Sequence, residues 1–360
     1  MQSSPGRKAC RAEPTLRIGF QRERDMIKIN RRLFVQGAAA VSAASVLATP
    51  QILRAQGSVK LRFGHPHPET DSWQDAGKWM AEQLAERSGG EISLDIFPNG
   101  ILGNDSTMIN SVRGGTLDLM VTGNPFFTGL APQLNVLDLP YLFHSREHVG
   151  AVLDGELGDE LRMGLAGSGL KALSTWETGW RHITNSRRPV HTPDDVKGLK
   201  IRTTPNPAHI MAFELLGAVP TPMAFTELFT ALEMRSIDGQ ENPTTLILNS
   251  NFYEIQKYIS LTGHAFTSSP LVMNESKFNG LGADQQTLLV SVAAEAAKLQ
   301  RQMNTEREGT ALAALKENGM EAVEDIDQAA FRAIVEAPIK EDFSAKFGPE
   351  LIDRITALAS

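Results

Sequence analysis

The chain has 360 residues, 41% of them hydrophobic and 21% charged, which is enough to bury the cores of two domains. It carries 35 Lys and Arg against 42 Asp and Glu. Ten of the basic and three of the acidic residues fall in residues 1–55, which leaves 25 against 39 in the rest and a formal net charge of −14 there. An acidic body of this kind argues against nucleic acid or an anionic membrane surface as the main partner.

A leader ordered like a secretory signal opens the chain, over residues 1–55. The basic pair Arg31 and Arg32 precedes a short apolar run over residues 37–49, and small residues up to Ala55 offer a cleavage site. The run is shorter than the roughly 20 apolar residues of a membrane-spanning helix. We therefore expect a removed signal peptide and export of the mature chain to the periplasm.

The export route and the start of the chain are separate questions. The arginine pair and the phenylalanine two residues after it resemble a twin-arginine signal. Val35 and Gln36 depart from that pattern, which leaves general secretion open as the route. Met26 directly precedes the signal, so we expect the signal peptide to be residues 26–55 and residues 1–25 to be a mis-called upstream extension.

The body of the chain begins with alternating strand and helix patterns. Apolar periodicity predicts strands over 59–64, 91–97 and 117–121, with helices over 72–87 and 104–114. A β-α-β-α-β order implies a parallel sheet with right-handed crossovers. Because ligands lie at the carboxyl ends of the strands in such sheets, the loops over residues 65–70 and 122–125 are candidate pocket walls.

A second α/β group follows, and then one long helix. The sequence predicts strands over 170–175, 199–203 and 258–262, and helices over 207–216, 225–234 and 251–257. Residues 283–318 keep a helical apolar pattern without proline. Such a helix would be about 50 Å long, long enough to run across two domains.

Arg202 is the residue with the clearest binding chemistry, but its pattern allows two readings. An arginine on a strand is by default a surface charge. At a strand end that faces a cleft, its planar fork suits a carboxylate. Composition does not decide between these readings.

Three other segments each have a structural and a functional interpretation. Phe225, before a predicted helix, is by default a core residue, and residues 238–243 read as a turn and N-cap that could start a helix. His65 and His67 are a weak metal signal because the body has no thiol. A hydrogen bond from one of them to a ligand is the favoured alternative, since their loop follows the first strand.

The sequence offers no organised catalytic machinery. It has no Gly-x-Ser-x-Gly elbow and no glycine-rich phosphate loop ending in Gly-Lys-Ser/Thr. Its single cysteine, Cys10, lies in the leader, so the body can form no disulfide, thiolate metal site or cysteine nucleophile. We expect no enzyme, metal or cofactor; a lyase or isomerase of organic acids is the enzymatic alternative.

Motifs in the second half carry a family resemblance. They are Gly-Leu-Lys-Ile-Arg at 198–202, Leu-Gly-Ala at 216–218, Pro-Thr-Pro-Met-Ala-Phe-Thr-Glu-Leu at 220–228 and Asp-Gly-Gln-Glu-Asn-Pro at 238–243. Earlier pieces fit too, namely Leu-Gly at 102–103, Gly-Thr-Leu-Asp at 115–118 and Leu-Pro-Tyr-Leu-Phe at 139–143. In order and spacing, residues 59–355 resemble the TRAP transporter periplasmic solute-binding proteins of the DctP family.

The resemblance implies an α/β fold, a two-lobed periplasmic-binding-protein clamshell. Each lobe would be a mixed, mostly parallel sheet flanked by helices, with hinge strands and one long helix spanning both lobes. Lobe I would comprise residues 57–178 and 267–306. Lobe II would comprise residues 179–266 and 307–360.

The resemblance also implies roles for individual residues. Arg202 would form a bidentate pair with the ligand carboxylate, and Arg181 would be a second cationic or hydrogen-bonding contact. Asn242 would bond a carboxylate or neighbouring oxygen, and Phe225 would pack against the ligand. The first lobe would close over the ligand through the loops over residues 65–69 and 122–124, with these side chains facing it: His65, Glu69, Trp73 and Asn124.

The implied function is capture and delivery of a small organic acid, either a sugar acid or a C4-dicarboxylate. Polar groups at His65, Glu69 and Asn124 favour a hydroxylated acid. The partners would be this ligand and the membrane permease subunits, and the protein would act as a monomer. A binding protein for an ABC importer, or a sensory module on the same fold, remains the alternative.

Overall fold

The structure, a computed structural model, describes residues 58–359, so the expected signal peptide lies outside the described residues. Its strands are β1 (Val59–Gly64), β2 (Ile92–Phe97), β3 (Leu119–Val121), β4 (Leu170–Asn185), β5 (Lys200–Thr203), β6 (Val219–Pro222), β7 (Gly239–Asn242), β8 (Tyr258–Asn274) and β9 (Glu321–Val323). Its α-helices are α1 (Ser72–Arg87), α2 (Asp105–Arg113), α3 (Arg146–Leu153), α4 (Glu156–Met163), α5 (Pro207–Leu215), α6 (Phe225–Glu233), α7 (Thr244–Asn249), α8 (Glu275–Asn279), α9 (Ala283–Glu317), α10 (Gln328–Phe347) and α11 (Glu350–Ala357). Within this range, no helix is both long and apolar enough to cross a bilayer.

The strands form one sheet with two parallel groups at its ends. The order is β2-β1-β3-β8-β4-β7-β5-β6, and β9 pairs with β8. β1 runs parallel to β2 and β3, and β5 runs parallel to β6 and β7, as alternation of strands and helices predicts. The long strands β4 and β8 pair antiparallel in the middle and join the two groups.

Several boundaries differ from the sequence prediction for identifiable reasons. β4 and β8 have 16 and 17 residues, far more than predicted, because their buried Ser and Thr side chains break the apolar alternation. Within residues 238–243, Gly239–Asn242 form the strand β7, and Pro243 is the N-cap of α7. The helix predicted over 251–257 is wrong: Asn251 has a φ of +55°, and only a 3-10 turn over Phe252–Glu254 follows. The unpredicted β6 contains Pro220 and Pro222, and proline is tolerated at the sheet edge that this strand forms.

The predicted long helix is confirmed as α9, 35 residues over Ala283–Glu317. It packs against α1 and β4, and farther along against α7 and β9. Since α1 connects β1 to β2 and α7 follows β7, the helix touches helices that adjoin both parallel groups. Gln300 of α9 ties the helix to β4, since its side-chain amide accepts from the Glu177 backbone N–H at 2.9 Å and donates to the Glu177 carbonyl at 3.0 Å.

β4 has a bulge where it meets α9. The register with β8 shifts between Glu177 and Gly179, and Gly179 has a φ of +120°. Asn304 of α9 donates to the Glu177 carboxylate at 2.7 Å and to the Thr178 carbonyl at 3.1 Å. Arg146 adds an ion pair to the same carboxylate at 2.8 Å. This bulge is the point at which the central strand is anchored to the long helix.

Two histidines lie in surroundings that lower their pKa values. His209 on α5 is buried and His182 on β4 is half-buried, and loss of hydration, as the largest cause, lowers the pKa of each to about 3. For His209, the nearby guanidinium charges of Arg181 and Arg202 act in the same direction, while the Glu241 charge opposes the shift. Its Nδ1 lies 2.8 Å from the Thr204 hydroxyl, so the neutral ring is held by a hydrogen bond.

The bulge predicts that Gly179→Ala destabilises the fold. A Cβ there would meet Asn304 Nδ2 at 3.1 Å on a backbone conformation that side chains rarely adopt, at a cost of about 1–3 kcal/mol. Urea denaturation followed by circular dichroism measures the loss. Gly129→Ala is the matched control, since no atom lies within 4 Å of its added Cβ. Equal midpoints for the two variants would contradict the prediction.

These two histidines predict a loss of stability in acid. The pKa of His209 lies near 3 in the folded chain and at about 6.5 in the unfolded chain. Below about pH 6.5, only the unfolded chain takes up this proton, so the free energy of unfolding falls with pH by up to about 1.4 kcal/mol per pH unit for each such group. His209→Asn should flatten the dependence between pH 6 and 4.5 in urea titrations. A slope identical to that of the unsubstituted protein would refute this assignment.

Candidate ligand-binding cleft

A narrow cleft lies between the two parallel groups of the sheet, at the carboxyl ends of β3, β5 and β7. It encloses about 310 Å³, part of it open to solvent. Its walls combine two arginines, one carboxylate, several threonine hydroxyls and two phenylalanines; the lining residues are His67, Asp105, Thr122, Gly123, Pro125, Phe126, Thr178, Arg181, Arg202, Thr204, Phe225, Asn242, Leu246 and Thr267. A larger surface depression, beside Arg235 and Tyr253, has no buried arginine among its described lining residues.

Arg202 presents a buried cation without a carboxylate partner among the described residues. It stands near the end of β5, and its side chain is 1% exposed. The guanidinium donates from Nε and Nη2 to the Met223 carbonyl at 3.1 and 2.7 Å. Burial lowers its pKa to about 10, with the Glu241 charge opposing the shift, so the group stays positive at neutral pH. The reading of Arg202 as a surface charge is therefore wrong.

Arg181 also reaches the cleft, but its charge is compensated within the protein. It lies on β4 and forms a buried ion pair with Glu241 on β7, with Nη2 2.8 Å from Oε1. Arg181 also donates to the Asn242 side-chain oxygen at 3.1 Å and to the Thr267 hydroxyl at 3.2 Å. Burial alone would raise the pKa of Glu241, but the Arg181 charge and a contact with His264 outweigh it and hold that pKa below its usual range.

An aromatic group forms the opposite wall. The ring of His67 stacks on Trp73 with centroids 3.6 Å apart and planes at 7°, and it lies 5.2 Å from the ring of Phe225. Trp73 does not line the cleft itself; its indole N–H donates to the Glu177 carbonyl at 2.8 Å. Trp73 therefore supports the wall from behind, while His67 and Phe225 form its surface.

Besides Trp73, three expected contacts are absent from the cleft wall. His65 turns into the interior, where Nε2 lies 2.9 Å from the Gln74 side-chain oxygen, and Glu69 is exposed on the surface. The Asn124 amide donates to the Leu134 carbonyl at 2.8 Å and to the Asp138 carboxylate at 2.6 Å. Within the first loop, His67 takes the place expected for His65.

The structure also adds residues that sequence reasoning did not single out. Asp105, at the first turn of α2, and four threonines line the cleft without any pattern that distinguishes them from capping or surface residues; these threonines are Thr122, Thr178, Thr204 and Thr267. Glu241 belongs to the motif at residues 238–243. Its role as the counter-ion of Arg181 follows from the pairing of β4 with β7, which the sequence alone does not show.

Comparison with known proteins places this chain in a family. Residues 63–346 match the DctP family model, described as bacterial extracellular solute-binding protein, family 7. The 2,3-diketo-L-gulonate-binding periplasmic protein YiaO of Escherichia coli (strain K12) is 43% identical over 326 residues, which are 91% of this chain and 96% of that protein.

Solved structures match the whole described fold. A TRAP periplasmic solute-binding protein from Polaromonas sp. JS666, bound to D-erythronate, superposes with a TM-score of 0.82 at 35% identity, covering 84% of this chain and 99% of that one. The sugar acid binding protein DctPAm from Advenella mimigardefordensis, in complex with galactonate, gives 0.81 at 35% identity over 84% and 98% of the two chains. These likenesses confirm the expected two-lobed α/β architecture, and the chain belongs to the DctP family of bacterial extracellular solute-binding proteins.

Proposed function

We propose that this protein is the periplasmic solute-binding component of a TRAP transporter, and that it captures an organic acid through Arg202 and delivers it to the membrane permease subunits. The observation that carries this proposal is the guanidinium of Arg202, buried at the cleft and bonded only to a carbonyl among the described residues. A buried charge is costly without a partner. A ligand carboxylate supplies that partner in the bidentate geometry that arginine favours.

The ligand class that fits the cleft is a hydroxylated acid of the sugar-acid type. Four threonine hydroxyls line the same walls as the two arginines, and they can exchange hydrogen bonds with ligand hydroxyls. Related proteins support this choice, since the similar solved chains hold D-erythronate and galactonate. Each of these hydroxyls has one hydrogen-bond partner within the protein, and its remaining capacity can serve a ligand hydroxyl.

The other cleft residues have distinct proposed roles. Arg181, already neutralised by Glu241, contributes a hydrogen-bonding edge rather than a free charge. Asn242 binds a ligand oxygen beside it, and the ring of Phe225 packs against the carbon skeleton. Trp73 acts through the His67 ring that it supports.

Capture would proceed by closure of two lobes around the ligand. We propose the division stated above, with lobe I over residues 57–178 and 267–306 and lobe II over residues 179–266 and 307–360. The bulge at Gly179, where β4 changes register, supports a hinge at this boundary. The ligand shifts the population toward the closed form by its higher affinity for that form.

The export signal and the assembly state belong to the same proposal. A chain of this family acts outside the cytoplasmic membrane, and we propose that the twin-arginine-like segment directs it there. We further propose that a monomer of the mature protein presents its closed form to the permease.

The role of Arg202 predicts that Arg202→Met abolishes binding while the protein stays folded. Removing one partner of a buried charge pair costs about 3–5 kcal/mol, so affinity for galactonate should fall by more than a hundredfold in isothermal titration calorimetry. The ligand-free variant should melt no lower than the unsubstituted protein, because it no longer buries an unpaired charge.

Lys200→Met is the matched control, since Lys200 lies on the same strand with its side chain exposed. It should bind galactonate with unchanged affinity. Near-native affinity of the Arg202 variant would reject the proposed mode of capture. Mass spectrometry of small molecules that co-purify with the protein would identify the natural acid.

A further inference from the structure

The amino end of α6 is a place where the two parallel groups of the sheet meet across the cleft. Phe225, the first residue of α6, has its ring 5.2 Å from that of His67, and its backbone N–H donates to the Asp105 carboxylate at 3.1 Å. The next residue, Thr226, is exposed at the edge of the cleft. It faces Gly100, in the loop between β2 and α2, so closely that a Cβ on that glycine would lie 2.6 Å from the Thr226 Cγ2.

Gly100 belongs to a tight turn whose backbone favours glycine. Asn99 and Gly100 have φ angles of +59° and +63°, and the Ile101 N–H donates to the Pro98 carbonyl at 3.3 Å. Positive φ at both central residues is typical of a type I′ turn, for which Asn-Gly is a preferred pair. The turn explains the glycine on one side of the contact, and the approach of Thr226 gives a second, independent reason for it.

The turn is tied to the wall of the cleft behind it. The Asn99 N–H donates to the His67 carbonyl at 2.9 Å, and the Gly100 N–H donates to the His65 carbonyl at 3.1 Å. Both carbonyls belong to the loop after β1 that places the His67 ring on the cleft wall. The turn therefore cannot move away from α6 without moving that wall.

The space between the turn and α6 has no room for a further carbon atom. Carbon atoms in contact lie about 3.5–4.0 Å apart, so a separation of 2.6 Å is too short by about 1 Å. Thr226 is β-branched, and its side chain therefore has few alternative rotamers in a helix. A side chain at position 100 would keep α6 away from the turn. The shift would reach the binding residues, because Arg202 is bonded to the Met223 carbonyl just before α6.

We propose that Gly100 and Thr226 are positioning residues for ligand capture: the missing side chain at position 100 lets the Thr226 methyl group reach the turn, and this contact sets how closely the two lobes shut. Gly100 lies in the proposed lobe I and Thr226 in the proposed lobe II. Neither residue needs to touch the ligand. This inference rests on the proposed capture through Arg202 by lobe closure, and it adds the steric stop at which closure ends.

Gly100→Ala tests the contact by filling it. Its affinity for galactonate should fall by about tenfold or more, because a gap of about 1 Å across the cleft forfeits up to half of each contact energy there. The ligand first meets the open form, in which the lobes are apart, so the loss should appear as faster dissociation with a nearly unchanged association rate. Stopped-flow tryptophan fluorescence measures both rate constants.

A rescue variant separates this contact from strain inside the turn. The Cβ of Gly100→Ala would also lie 3.2 Å from the Gly103 carbonyl oxygen, so some loss of stability is expected. Adding Thr226→Ser removes the opposing methyl group but not that strain, and it should restore most of the affinity. Gly89→Ala is the matched control, since Gly89 has a φ of +62° and no atom lies within 4 Å of its added Cβ. It should bind galactonate with unchanged affinity.

A second pair of variants approaches the contact from α6 and leaves the turn unchanged. Thr226→Phe adds a ring where the helix meets the turn, and Thr230→Phe adds the same ring one helical turn farther along; both threonines are exposed. Thr226→Phe should bind galactonate more weakly than Thr230→Phe, again through faster dissociation. This comparison stands even if Gly100→Ala fails to fold.

The outcomes distinguish this inference from the proposed function. Unchanged affinity of Gly100→Ala, a loss that Thr226→Ser does not restore, or equal affinities of the two phenylalanine variants overturns the role of this contact while capture through Arg202 stands. Failure of galactonate to bind the folded, unsubstituted protein overturns the sugar-acid proposal itself, and the role of the contact in that capture with it.

Discussion

The structure is organised around a positive charge held out of water. Arg202 lies near the end of a short parallel strand and lines the cleft, and its Nε and Nη2 donate to the Met223 carbonyl. A second unpaired arginine would add to the electrostatic cost of burial, but the Glu241 carboxylate neutralises the nearby Arg181. Arg202 is then the one arginine of the described lining without a carboxylate partner, which suits the acid group of the ligand that we propose.

The central strands explain how residues far apart in sequence meet at this charge. β4 carries Arg181 and pairs with β7, where His182 lies opposite Asn242 and Ile183 opposite Glu241. The same strand continues through the bulge at Gly179 to the anchor on α9. The proposed binding residue Arg181 and the proposed hinge at Gly179 are therefore two residues apart on one strand, so closure at this hinge would move the arginine relative to the opposite wall.

Local patterns were sufficient for the elements whose side chains alternate or repeat regularly. β1 and α1 have the predicted bounds, and α9 ends one residue earlier than predicted. β7 was misread because its residues, Gly239 to Asn242, are small or polar; they are buried only because Arg181 and Thr184 on β4 bond to them. Polar strands of this kind gain their stability from partners that no local window contains.

The binding site, like the fold, was only partly predictable from the sequence. Arg202, Arg181, Asn242 and Phe225 were found through family motifs, and all four line one cleft. His65 and His67 lie two residues apart in one loop. Only the packing of His67 on Trp73 shows which of them faces the cleft. Asp105 escaped detection because its significance depends on a helix that begins 120 residues later.

The prolines of β6 affect how this protein can associate with neighbouring chains. Val219 directs its N–H inward, to the Leu199 carbonyl at 2.8 Å, so the alternate positions 220 and 222 point outward from the free edge of the sheet. Proline fills both positions and has no N–H to offer. A neighbouring strand that approached this edge would find no N–H donors to pair with. The prolines therefore disfavour edge-to-edge aggregation through β6.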